Sequence, residues 1–255
     1  MGCDQAARNR AEQSESIFGA FVTTPRPVDA VMEMNDPFDP GKRLRGMLLI
    51  ANAPFGGEEV YVKGYAKALG GIDGEPADTD PGVRAVAARA LALHGGPEHV
   101  PLMLPLVSGK RERVERLEGV RALQRLHSPK AVDPLIDATD PRKEPEHEVR
   151  AEACTALGQY AETRVLQALI RGVDDDQLVV NRAAEKSLTI LTGQELGDDR
   201  RAWLAWLEVT KEPFALRRPY FYPVFARDKT WIEYLPFVQP PPNEKTAKPA
   251  GMAGA

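Results

Sequence analysis

The chain of 255 residues has only two cysteines and four histidines. Cys3 stands at the extreme N-terminus and Cys154 inside an apolar-periodic stretch, so neither a disulfide framework nor a zinc-ligand spacing can be assembled from them. Long apolar runs are missing as well. The best candidates, MLLIANA and VPLMLPLV, fall short of the roughly 18 residues that a membrane-spanning helix needs. There is no basic excess: the formal net charge of −4 lacks the broad electrostatic footprint of a nucleic-acid binder. Nor is there a Gly-rich phosphate loop or a G-x-S-x-G elbow. His94 and Glu98 sit in HGGPEH, which looks like a zinc-protease motif, but the spacing is wrong and Gly-Gly-Pro breaks the helix such a motif requires. In KRERVER (110–116), basic and acidic residues alternate, which suits a solvated helix start. Apolar residues still make up 43% of the chain, enough for a core. These absences predict a mildly acidic body with no catalytic, cofactor or metal site.

What is present is self-similarity. VRAVAARALA (83–92) returns as VRAEACTALG (149–158). Aligning Arg43, Arg84, Arg116, Arg150 and Asn181 brings small residues into register three positions later: Gly46, Ala87, Gly119, Ala153 and Ala184. Two further columns follow, Leu49, Ala90, Ala122, Ala156 and Ser187, then Ile50, Leu91, Leu123, Leu157 and Leu188. Starts recur after 41, 32, 34 and 31 residues, the length of a two-helix unit. Within a unit, apolar positions such as Val83, Val86, Ala87 and Ala90 mark one face of a first helix. Breakers such as HGGPEH, LHSPKA and YAETR lead to second apolar stretches at 100–107, 131–138 and 165–173, each spaced for a second helix. DPG, DPR and DDD open successive units, where an acid caps free N–H groups and Pro suits the first turn.

The pattern D-x-x-x-V-R-x-x-A-x-x-A-L followed by A-V-x-x-L-I resembles HEAT repeats, in the bacterial variety also called phycobilisome-lyase HEAT-like, over residues 36–208. The resemblance implies an all-α, right-handed α-solenoid of about five helical hairpins. It also implies that the column arginines, Arg84, Arg116 and Arg150 among them, form a ladder with acids at unit heads, for which Asp80, Asp140 and Asp175 or Asp176 are the candidates. Small side chains are then needed where neighbouring hairpins approach closely, and Cys154 is a buried small residue near that seam and not a nucleophile.

The ends differ from the array. Residues 1–35 read as a polar tether and a leading segment in which IFGAF and VDAVMEM form a short helix pair. Trp203 and Trp206 close the last unit as a cap. Residues 209–238 hold eight of the seventeen aromatics among Pro213, Pro219, Pro223 and Pro236, which predicts an extended strap with one short helix at 228–235. Whether it docks on the repeats or binds a partner stays open at this point. Residues 239–255 read as a disordered tail.

Two functional readings follow. The first is a noncatalytic scaffold for a protein partner; the resemblance puts second helices on the concave side, so Glu98, Lys130, Asp133, Arg164, Gln167 and Arg171 are the candidate surface. The second is a phycobilin-lyase-like enzyme or prosthetic-group chaperone, whose groove would draw on the aromatic strap. Gly2-Cys3 followed by a polar run resembles the end of a bacterial lipobox, which implies a lipidated Cys3 and about 15 to 25 further residues upstream. On that reading the protein sits at the cell envelope and meets a membrane only through this anchor; an ordinary cytoplasmic start is the alternative.

Overall fold

The structure is a computed structural model that describes residues 27–71, 74–223 and 246–252. Among these residues eleven α-helices follow one another, α1 standing ahead of five successive pairs: α1 (Pro27–Met34), α2 (Pro40–Ala51), α3 (Glu59–Ala68), α4 (Pro81–His94), α5 (Val100–Met103), α6 (Arg113–Arg125), α7 (Val132–Asp137), α8 (His147–Leu157), α9 (Thr163–Gly172), α10 (Leu178–Thr192) and α11 (Arg200–Val209). The first helices α2, α4, α6, α8 and α10 pack each on the next, forming one layer. The second helices lie beside them.

The repeat columns form the seam of this layer. Ala87, Ala153, Ala184, Ala90, Ala122, Ala156, Leu91, Leu123, Leu157 and Leu188 are all fully buried. The need for small residues is steric. A Cβ on Gly119 would stand 2.9 Å from the Leu106 Cβ, and one on Gly172 would press on both Ala184 and the Cys154 sulfur. Burial pushes the Cys154 thiol up to about 12, so it stays a neutral packing group at physiological pH.

Helix starts are set locally. Asp39 and Asp80 cap α2 and α4 through their side chains, each with Pro at the first turn. The expectation that DPR and DDD do the same is corrected: α8 begins only at His147, behind Glu146, and α10 at Leu178, behind Gln177, neither with a side-chain cap. Second helices are also shorter than expected. In unit two, α5 ends at Met103 and leaves 104–107 outside the helix, since Pro105 can neither donate an N–H nor let the preceding residue stay comfortably helical. In unit three a 3₁₀ turn, Pro129–Ala131, precedes a six-residue α7.

At the front, VDAVMEM lies within α1, while IFGAF lies outside the described residues. At the back, Trp203 is fully buried, donates to the Gly197 carbonyl at 2.8 Å and meets Trp206 edge-on. Of the strap, residues up to 223 are described: Phe214 packs against the core and Tyr220 is buried, while 224–238 lie outside the described residues. The disordered-tail expectation is corrected for 246–252, whose backbone pairs with the repeats through Ala250. Composition missed this because the contact uses backbone groups and one small side chain.

A close backbone approach lies between α1 and α2, where a Cβ on Gly46 would fall 2.3 Å from the Met34 nitrogen and 2.5 Å from the Ala30 oxygen. Both obstacles are backbone and cannot swing aside. Gly46→Ala is therefore expected to displace α1 and cost about 1–3 kcal/mol, read as a lower urea midpoint; an unchanged midpoint would contradict this packing.

Candidate functional site

Each column arginine starts from the same place, the second turn of a first helix, and reaches in two directions. Arg43 forks onto Asp78 at 2.7 and 2.9 Å, Arg116 onto Glu144 at 2.6 and 2.9 Å, and Arg150 onto Asp175 at 2.8 and 3.0 Å. Arg84 makes a single bond of 2.7 Å to Glu115, which Arg111 also approaches. In every case the acid belongs to the following unit. The remaining guanidinium nitrogen turns back to a carbonyl just before its own helix, that of Asp36, Asp78, Arg111 or Glu144, with Pro145 sharing the last. Asn181 closes the series by donating to the Val173 carbonyl.

The acids were only partly legible. Asp175 is Arg150's partner as expected, but Asp80 and Asp140 are not rungs. Asp80 is committed to the Val83 N–H as a helix cap, and Asp140 is held by Arg142, which keeps its carboxyl down at about 2. The acids in their place are Asp78, Glu115 and Glu144. A signal for most of them exists: Asp78, Glu144 and Asp175 each stand six residues before the next column residue, Arg84, Arg150 and Asn181. In unit three that offset falls on Lys110, and Glu115, adjacent to Arg116, takes over.

Burial gives these pairs their weight. The Arg150–Asp175 side chains are 6% and 3% exposed and Arg116–Glu144 8% and 2%, so neither partner has bulk water as an alternative. A second tier links the first helices: Arg121 bonds Glu152 and Glu118, Gln124 bonds Glu152, Gln159 donates to the Leu123 carbonyl and Ser187 to that of Cys154.

All six candidate surface residues are exposed. Glu98 lies in the bend of unit two, Lys130 and Asp133 in unit three, and Arg164, Gln167 and Arg171 in unit four. The structure joins two of them: Arg164 bonds Asp133 across the unit boundary and also Glu162. Cys3 lies outside the described residues. Among the described residues no three His, Cys, Asp or Glu side chains are grouped to hold a metal ion, and no helix is long and apolar enough to cross a membrane.

The arrangement, then, is a row of short helix pairs stitched by buried arginine–acid forks. A family profile described as HEAT repeats matches residues 75–144 and, overlapping it, 109–189. Residues 75–189 carry HEAT repeats. No curated protein matches it. The matched span takes in the HEAT units around α4, α6, α8 and α10, and with them the rungs from Arg84 to Arg150. The unit around α2 and α3 lies before the matched span, yet keeps the same rung through Arg43.

The rungs set an acid limit. Burial raises the Asp78 and Glu115 carboxyls, but the hydrogen bonds from Arg43 and Arg84, with a backbone N–H at each, outweigh it and leave both below the ordinary carboxylate range. A folded-state pKa below the unfolded one contributes stability that is full above the unfolded value, about 4, and is lost as pH falls through the folded one. Unfolding free energy from urea titrations is expected to hold steady from about pH 7 to 5 and to fall below about pH 4. Asp78→Asn should flatten that fall; an equally steep fall in the variant would contradict the assignment.

Proposed function

We propose that this HEAT-repeat chain is a noncatalytic scaffold, a right-handed solenoid of about five hairpins, that binds a protein partner over its second-helix side. The observation that carries this reading is the division of charge. Buried arginines and acids are consumed in the ladder, whereas Glu98, Lys130, Asp133, Arg164, Gln167 and Arg171 are held exposed on rigid elements. Their mixed sign suits a protein surface and not a phosphate backbone. Cys3 as a lipid anchor would hold this scaffold at a bacterial envelope membrane, with the polar run from Asp4 to Ser16 as the spacer. The lyase-like reading has less to draw on, because Phe214 packs into the core, Tyr220 is buried and Tyr222 lies on Arg125.

Crosslinking in the native cell tests both parts. The wild-type chain should recover one stoichiometric partner from the membrane fraction. Charge reversal at Asp133→Lys with Arg171→Glu should lower that yield about tenfold without changing the melting temperature. A chain that crosslinks to nothing would sink the scaffold reading, and a soluble chain with unmodified Cys3 would sink the anchor.

A further inference from the structure

Prolines keep the chain after α11 from coiling on itself. Pro213, Pro219, Pro223 and Pro249 lack an N–H, and each disfavours a helical residue before it, so the other backbone groups of these runs find partners elsewhere. Those partners lie on the repeats. At unit five, Gly193 ends α10 in the left-handed region (φ +71°) and the Gln194 N–H turns to Thr192 Oγ1, so the Ile190 carbonyl loses the donor that a further helical turn would supply. The Arg218 N–H takes that carbonyl at 2.7 Å, and Leu216 lies so close that a Cβ on Gly193 would stand 2.6 Å from its oxygen. At unit four, Arg217 Nη2 reaches the Gln159 carbonyl at 3.4 Å, just past the end of α8, and Tyr220 is buried within electrostatic reach of Tyr160 and Glu152. At unit three, the Tyr222 ring centre lies 4.4 Å from the Arg125 guanidinium.

The second run carries the path on. Thr246 Oγ1 donates to the Tyr222 carbonyl at 2.6 Å and the Tyr222 N–H to the Ala247 carbonyl at 3.0 Å, which joins the two runs at this residue. Ala250 then makes two bonds of 2.8 Å at the end of α6, its N–H on the Arg125 oxygen and its oxygen on the His127 N–H, and packs against the apolar core. Gly251 (φ +86°) comes up against unit two, where a Cβ would be 2.4 Å from the Pro97 ring. In chain order, residues 216–222 and 246–251 therefore visit units five, four, three and two, each time where a first helix has just ended.

Stacked repeats touch only their neighbours, so a terminal unit can open by itself. A segment seated on four units in a row breaks that rule. We propose that residues 216–222 and 246–251 act as one longitudinal brace that ties units two to five along the edge where the first helices end and makes them open and close as one body. The arginine ladder couples each unit to the next; the brace couples units that are not neighbours and so holds the bend of the array constant across them. It acts with or without a partner, and does not depend on the scaffold reading.

Native-state hydrogen exchange on the full chain tests this, comparing wild type with Gly251→Val and Gly74→Val. Gly74 also has a positive φ (+75°), but with open space where a side chain would stand, so its substitution strains the front of the array without touching the brace. In G251V the His127 amide, which bonds Ala250, should exchange at least about tenfold faster. The deciding amide is that of Arg218, bonded to Ile190 in unit five, far along the chain of units from Pro97. It should exchange at least about threefold faster in G251V and at the wild-type rate in G74V. Should G251V fail to fold, Thr246→Val carries the same comparison, because it removes only the exposed hydroxyl that joins the two runs; Arg218 should again exchange about threefold faster. An Arg218 amide unchanged in G251V, or in T246V if that variant must serve, overturns the proposal, since residues 246–251 would then be a local contact of units two and three. Equal acceleration in G74V overturns it as well, because the coupling would then run through the stacked helices.

Discussion

Arg43, Arg84, Arg116 and Arg150 each hold two units at once, with one guanidinium nitrogen on a carbonyl before its own helix and one or two more on an acid of the next unit. In a stacked array each unit touches only its neighbours, so stability is a sum of weak intrinsic terms and interface terms, and whatever sits in the interface sets the cooperativity of the whole. The apolar seam there is built largely of alanine, which buries little area per residue and would tolerate sliding. The forks do not. A slip of one helix past another would leave a guanidinium and a carboxylate buried and unpaired, at a cost of about 3–5 kcal/mol. The ladder's role is therefore register more than net stability, consistent with the planar fork that Lys could not reproduce.

Function follows from what that core leaves over. Because the register is fixed from inside, the second helices can be short, interrupted by proline and polar on their outer side without loosening the array. On the proposed scaffold reading, the exposed side chains of units two to four supply the recognition surface. The C-terminal segment adds a contact of its own, pairing its backbone through Ala250 with Arg125 and His127 at the end of α6.

How much of this the sequence disclosed depends on the range of the interaction. Periodic columns of Ala and Leu are a local signal repeated four or five times, and they mark the seam and the fully buried Leu91, Leu123, Leu157 and Leu188 correctly. Asp39 and Asp80 as caps are likewise local. The ladder acids are not, since each pairs with an arginine 25 to 35 residues away, and an acid beside a proline looks the same whether it caps a helix or crosses a unit boundary. Asp80 and Asp140 were for that reason the natural but mistaken choices. The constant offset of six residues before the next column residue separates the two roles, and Glu115 shows where even that rule gives way. Composition gave no hint that Ala250 would pair with α6, because Pro-Ala-Gly is equally at home in a free tail.

The claim that forks across unit boundaries fix the array is tested most directly by a double-mutant cycle on the deepest pair, Arg150→Met and Asp175→Leu, singly and together, followed by urea unfolding. The account predicts that each single change costs about 3–5 kcal/mol, that the double variant costs no more than either, and that the coupling exceeds about 2 kcal/mol. Single changes that are small and simply add in the double variant would contradict it, and would leave the linking of units to the apolar seam and the second tier of polar contacts.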